Sequence, residues 1–142
     1  MSAKNPKPGK KFEYTTVILE KHLDTFGHVN NATYLQLLEE ARWDLITNNG
    51  YGLKQVKELG VGPTILNIEI SFKRELLLRQ KVRITTQITD YSSKIGYLKH
   101  EIWNEAGELA SEANYKIALF DTHKRRIITA TPEWMCAIGI EA

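Results

Sequence analysis

The sequence predicts an α+β domain in which one curved antiparallel sheet of five to six strands wraps a single long central helix. Three observations carry that expectation. Tyr34, Leu37, Leu38, Ala41 and Leu45 fall at i, i+3, i+4, i+7 and i+11, one apolar stripe of a helix. Almost everything after Pro63 alternates in the manner of half-buried strands. With 142 residues and one cysteine, Cys136, the chain can bury one core and cannot staple it with an internal disulfide.

Each element has its own local cause. Residues 12–20 (Phe-Glu-Tyr-Thr-Thr-Val-Ile-Leu-Glu) are rich in β-branched and aromatic side chains and read as a first strand. The irregular stretch His22 to Asn30 follows, and the helical period begins at Asn31. Asn30 or Asn31 can cap it, and Asn49-Gly50 supplies a stop. A shorter amphipathic piece, Leu53 to Leu59, ends at Gly60. Then Leu66, Ile68, Ile70 and Phe72 alternate, as do Val82, Ile84, Thr86 and Ile88. Segment 95–104 is a further strand, Glu105 to Glu108 a hairpin turn, and Leu109 to Phe120 the next strand. Asp121 to Lys124 turns the chain into Arg125 to Thr129, and Pro132 opens a closing helix, Glu133 to Ile138.

Composition excludes several classes. The formal net charge is +2, and Lys4, Lys7, Lys10 and Lys11 lie at the start, so the rest carries no basic surplus for nucleic acid. Residues 1–11 read as a flexible basic tail ahead of one domain at 12–142. Positive charge there has no apolar run behind it, unlike a secretory signal. No segment reaches the ~18 apolar residues of a membrane span, and the expected location is cytoplasmic. His22, His28, His100 and His123 show no metal-ligand spacing. No metal or cofactor is expected. Phosphate-cradling Gly-rich loops and a Gly-x-Ser-x-Gly elbow are absent.

The chemistry concentrates at the start of the long helix. There the sequence runs Asp24-Thr-Phe-Gly27-His28-Val-Asn30-Asn31-Ala-Thr-Tyr34. The first turn of a helix leaves about four N–H groups unpaired and carries a partial positive charge. Such amides can hold an oxyanion, and a carboxylate just before them can attack an acyl carbon or take a proton from water. The duller roles are an Asx-turn for Asp24, caps for Asn30 and Asn31, a loop residue at His28 and a core residue at Tyr34.

This segment, with Leu35-Gln-Leu-Leu-Glu-Glu-Ala-Arg42 after it, resembles the motif of the 4-hydroxybenzoyl-CoA thioesterase-like family of acyl-CoA thioesterases, Asp-x-x-Gly followed by a polar residue and a Tyr about ten positions on. The resemblance covers most of the chain and implies the hotdog fold. It implies hydrolysis of a fatty or aryl acyl-CoA, with Asp24 as nucleophile or general base. The Asn31 N–H would be the oxyanion donor, with Gly27 and His28 shaping the site. Asn30, Tyr34, Lys73 and Arg74 are candidate contacts to substrate or CoA. It also implies a homodimer or homotetramer with the active site at the subunit interface. A related subgroup uses a helix Glu, which makes Glu39 a second candidate. The plainer reading pairs Glu39 with Arg42 at i, i+3. At 75–81 the chain reads Glu-Leu-Leu-Leu-Arg-Gln-Lys, departing from the family's Pro and Gly-Asp there.

Three other readings compete. An acyl-ACP thioesterase shares the His-Val-Asn-Asn run but is usually built as two repeats. A module that binds acyl-CoA without cleaving it would need no reactive carboxylate. A hydratase on this fold resembles Gly-Asp-x-Asn-Pro-x-His, whereas here Leu23 precedes the Asp and the segment has no Pro.

Overall fold

The computed structural model describes residues 8–140. In chain order the elements are β1 (Lys11–Val17), a 3₁₀ turn (Glu20–His22), α1 (Asn31–Asn48), α2 (Leu53–Leu59), β2 (Val61–Phe72), β3 (Lys81–Ser92), β4 (Ile95–Trp103), β5 (Leu109–Asp121), β6 (Arg126–Ile128) and α3 (Pro132–Ala137). The strands form a six-stranded antiparallel sheet in the order β1-β3-β4-β5-β2, with β6 added alongside the end of β5.

The helical stripe is the core. Leu37, Leu38 and Ala41 are 0%, 1% and 2% exposed and share one core cluster with Ile84, Ile102, Ala113 and Leu119 of the sheet. Truncating Leu37 or Leu38 to Ala would cost about 2–5 kcal/mol. Asn30 caps α1, its side chain accepting from the Ala32 N–H at 2.8 Å, and Gly50 with φ +86° lets the chain turn away after Asn49.

Several boundaries differ from expectation. β1 ends at Val17 because Leu19 starts the 3₁₀ turn, its N–H donating to His22 Nδ1 at 2.9 Å. Residues 9–11 are already joined to the domain: the Gly9 N–H donates to the Ile88 carbonyl and the Lys10 N–H to that of Gly139, and Lys11 opens β1. The rest of the expected tail, residues 1–7, lies outside the described residues. Arg125 has φ +56°, a left-handed conformation that holds it out of β6. Pro63 lies inside β2 rather than before it, which an edge strand tolerates.

A register shift between Ile65 and Asn67 makes Leu66 a bulge, after which Ile68, Ile70 and Phe72 stand opposite Tyr115, Ala113 and Ser111. β2 pairs with β5 on one side only. Ile65, Leu66, Ile68 and Phe72 along it are therefore 37–45% exposed, although their alternation reads as a strand with one buried face.

Candidate active site

Asp24 sits in a closed loop between the 3₁₀ turn and α1. Its N–H donates to the His28 carbonyl at 2.8 Å, and its carbonyl accepts from the Gly27 N–H at 3.0 Å. Carboxylate Oδ1 accepts from the Phe26 N–H at 2.9 Å and the His28 N–H at 3.0 Å. Gly27 takes φ +79°, the left-handed turn that closes the loop, with nothing within 4 Å of where a Cβ would stand. The His28 amide first, then that of Phe26, holds the Asp24 carboxyl below its usual range, so it is ionised at neutral pH. Oδ2 has no partner among the described residues.

α1 begins seven residues further on. There the Ala32 N–H is taken by the Asn30 side chain, and the N–H groups of Thr33 and Tyr34 go to the Asn30 carbonyl at 2.9 and 3.3 Å. The Asn31 N–H has no acceptor among the described residues. It is the helical first-turn donor left over, at the positive end of an 18-residue helix. Asn31 and His28 are exposed, and neither side chain has a hydrogen bond among the described residues.

The remaining sequence candidates divide. Asn30 is occupied as the cap. Tyr34 is 5% exposed, edge-on to Phe72 with ring centroids 4.9 Å apart, which places it in the core beneath the helix start. Lys73 and Arg74 follow Phe72 directly and are held in surface ion pairs, Lys73 with Glu112 at 3.8 Å and Arg74 with Glu108 at 3.3 Å. The turn after them is closed by Arg79 at φ +63°, a side-chain-bearing residue in a conformation that glycine favours.

The expected Glu39–Arg42 surface pair does not form. Arg42 turns inward instead. Its Nη1 lies 3.1 Å from Nε2 of the fully buried His100, and its guanidinium covers the Tyr115 ring at 4.5 Å. Burial, with the Arg42 charge second, pushes the His100 pKa down to about 3, so the imidazole is neutral. Glu39, Arg42 and Thr86 are polar residues at the edge of an otherwise apolar cavity of about 240 Å³ under the second half of α1. Trp43 contributes to it, whereas Tyr97 and Trp103 lie on the opposite face of the sheet, where Trp103 carries Arg83 over its ring. No helix among the described residues is long and apolar enough to cross a membrane, and they hold no cluster of His, Cys, Asp and Glu of metal-binding type.

A family model described as the thioesterase-like superfamily matches residues 19–138, which takes in the Asp24 loop, α1 and all strands but β1. The chain belongs to this superfamily. Thioester hydrolysis is the activity for which the superfamily is named. The long-chain acyl-CoA thioesterase FadM of Escherichia coli is 31% identical over 113 residues, covering 79% of this chain and 85% of that protein. YneP of Bacillus subtilis is 30% identical over 117 residues, with 80% and 85% covered. Among solved structures, SAV2348 of Staphylococcus aureus in complex with CoA superposes with a TM-score of 0.84 at 22% identity, covering 95% of this chain and 85% of that one. The DHNA-CoA thioesterase of the same organism gives 0.80 at 22% identity, with 89% and 87% covered. The superfamily's hotdog fold is therefore the fold of this chain.

Proposed function

We infer that the chain is an acyl-CoA thioesterase that hydrolyses a fatty or aryl acyl-CoA, with Asp24 as the reacting carboxylate and the Asn31 N–H as the oxyanion donor. The observation that carries this reading is the pair of uncommitted groups on one short segment, Asp24 Oδ2 and the Asn31 N–H, left without a partner among the described residues while the Phe26, Gly27, His28, Ala32, Thr33 and Tyr34 amides around them are taken. Relatives named as acyl-CoA thioesterases, covered over most of their length, support CoA as the carrier.

The chemistry follows from the two groups. As the carbonyl carbon becomes tetrahedral, negative charge grows on its oxygen, and the Asn31 N–H at the helix's positive end stabilises it. One such donor is worth about 3 kcal/mol of barrier. The Asp24 carboxylate supplies the other half by one of two routes. It adds to the carbon and expels the CoA thiolate, giving an anhydride that water opens, or it removes a proton from water as that water adds. A carboxylate whose two backbone donors lower its basicity is suited to direct attack. Single turnover in ¹⁸O water leaves label in Asp24 where water opens the anhydride at the Asp24 carbonyl, an outcome the water route never gives.

A second copy completes the site in this reading. The free edge of β2 exposes Ile65, Leu66, Ile68 and Phe72, the kind of edge that soluble proteins cover. Pairing β2 with its symmetry mate would bury them and place the helix start, linked to β2 through the Tyr34–Phe72 contact, at the subunit boundary. Lys73 and Arg74 would stand beside it as phosphate contacts for CoA. Thiol release from a panel of short, long and aryl acyl-CoAs tests the activity, and gel filtration tests the assembly. The expected results are turnover of at least one class and an elution volume of a dimer or tetramer. A panel without turnover, or a monomer at micromolar concentration, would contradict them.

A further inference from the structure

The polar edge of the cavity has no role in the reading above. Arg42 is partly buried, and among the described residues no carboxylate forms an ion pair with it. Its one side-chain partner, His100, is neutral and hydrogen-bonds onward through Nδ1 to Thr86 Oγ1 at 3.0 Å. With Nδ1 facing the Thr85 carbonyl as well, Nδ1 carries the ring proton and Nε2 accepts from Arg42. One of the five guanidinium N–H donors is thus spent inside the protein. Glu39 lines the same cavity one turn earlier, but its side chain is exposed and does not reach the guanidinium. The guanidinium lies over the Tyr115 ring, whose hydroxyl is buried without a partner among the described residues. A cation drawn from water without an anion is expensive. Here it faces a space lined by Ile46, Ile65, Ile88, Ile117 and Trp134. An apolar cavity of about 150 Å³ can hold benzene, so 240 Å³ accommodates a ring or a short alkyl run.

We propose that Arg42 is a specificity-determining residue that receives an oxygen acceptor, a carboxylate above all, at the far end of the acyl group. The preferred substrates are then acyl-CoAs carrying a second oxygen function, not plain alkyl chains. This rests on the thioesterase reading and names its substrate class. Arg42 stands eleven residues beyond Asn31, roughly 17 Å along the axis at ~1.5 Å per residue. It therefore does not meet the thioester bound at its own helix start. Two copies paired antiparallel through β2 would bring one copy's Phe72 end, with its helix start, toward the other's Ile65 end, whose Pro63 and Ile65 line the cavity. His100 acts as a positioning residue, fixing the guanidinium from behind with a neutral ring that leaves the charge to the ligand.

The test compares alkyl acyl-CoAs with their ω-carboxyacyl-CoA counterparts at matched lengths from eight to sixteen carbons. In the wild type, kcat/KM is expected to favour the carboxylated member by about 10- to 100-fold at one or more lengths, the range of a charge-assisted hydrogen bond. Arg42→Met should reduce that ratio to one or below, and Arg42→Lys should keep part of it. A wild type without the preference at any length overturns the proposal, with no variant needed. So does an Arg42→Met enzyme, folded by circular dichroism, that loses both substrates in equal proportion. If the wild type cleaves neither member, the thioesterase reading fails separately, and calorimetric binding of the two intact acyl-CoAs decides Arg42: a preference for the carboxylated one upholds it, equal affinity removes it.

Discussion

The start of α1 and its second half treat polar groups in opposite ways. At the start, Asp24, His28, Asn30 and Asn31 are exposed, and their order is made almost entirely by backbone amides within eight residues of sequence. Eleven residues on, Arg42, Thr86, His100 and Tyr115 come from one helix and three strands and are buried or nearly so. The first region keeps a carboxylate charged, and the second keeps an imidazole neutral. Reactivity at an exposed helix end needs little scaffold beyond a turn and a cap, whereas a cation beside an apolar cavity needs the whole sheet to hold it.

The largest expected effect belongs to the first region. Asp24→Asn should lower kcat by about 10³-fold or more while leaving the fold intact, because the side chain touches only amides of its own loop. Steady-state thiol release checks it. Turnover near the wild-type rate would leave the two regions of the helix indistinguishable in function. The next effect belongs to the second region and is one of stability. His100→Phe removes the partner of both Arg42 and Thr86, and urea unfolding should show a loss of about 3 kcal/mol.

The same histidine sets a pH signature. Its folded pKa, about 3, lies below its unfolded value of 6.5, so between those values the unfolded chain binds the proton and the folded one does not. Stability is therefore full above pH 6.5 and declines as pH falls toward 3, by up to about 1.4 kcal/mol per pH unit from this group. His100→Phe should flatten that slope between pH 6.5 and 4.5 in urea melts taken at each pH. An unchanged slope would show that His100 is not what distinguishes the buried end.

Smaller changes sharpen the exposed end. Asn30→Ala should cost about 1 kcal/mol of stability through the lost cap. It also frees the Ala32 N–H, so any change in kcat beyond the stability effect reports on a second amide in the site. Lys73→Ala and Arg74→Ala, each breaking only a surface ion pair, should raise KM for acyl-CoA about fivefold or less.

The contrast also explains what could be read in advance. The Asp24-to-Tyr34 motif is contiguous, and its geometry is set by turn and cap chemistry, so fold class and helix limits were legible and Asp24 could be named as a candidate. The buried cluster was not, because it is assembled across 58 residues of sequence between Arg42 and His100. Signals existed: Tyr34, Leu38, Arg42 and Ile46 form one i, i+4 row, and His100 alternates with Leu98 and Ile102, so both residues stood on inward faces. A surface pairing of Arg42 with Glu39 satisfied the charge rule and hid the row. Along β2, alternation pointed to a buried face, but one chain leaves the edge open, and strand pattern alone does not say where a sheet ends.

The claim on which the account rests is that one backbone N–H, that of Asn31, stabilises the transition state. Proline at the first helical position keeps the helix and deletes that N–H, and Asn30, at ψ 147°, already has the extended conformation that must precede a proline. Comparing kcat of Asn31→Pro with that of Asn31→Ala cancels the side chain and isolates the amide. The expected result is a proline variant 10²- to 10³-fold slower than the alanine variant at equal helix content. Equal rates for the two would contradict the account.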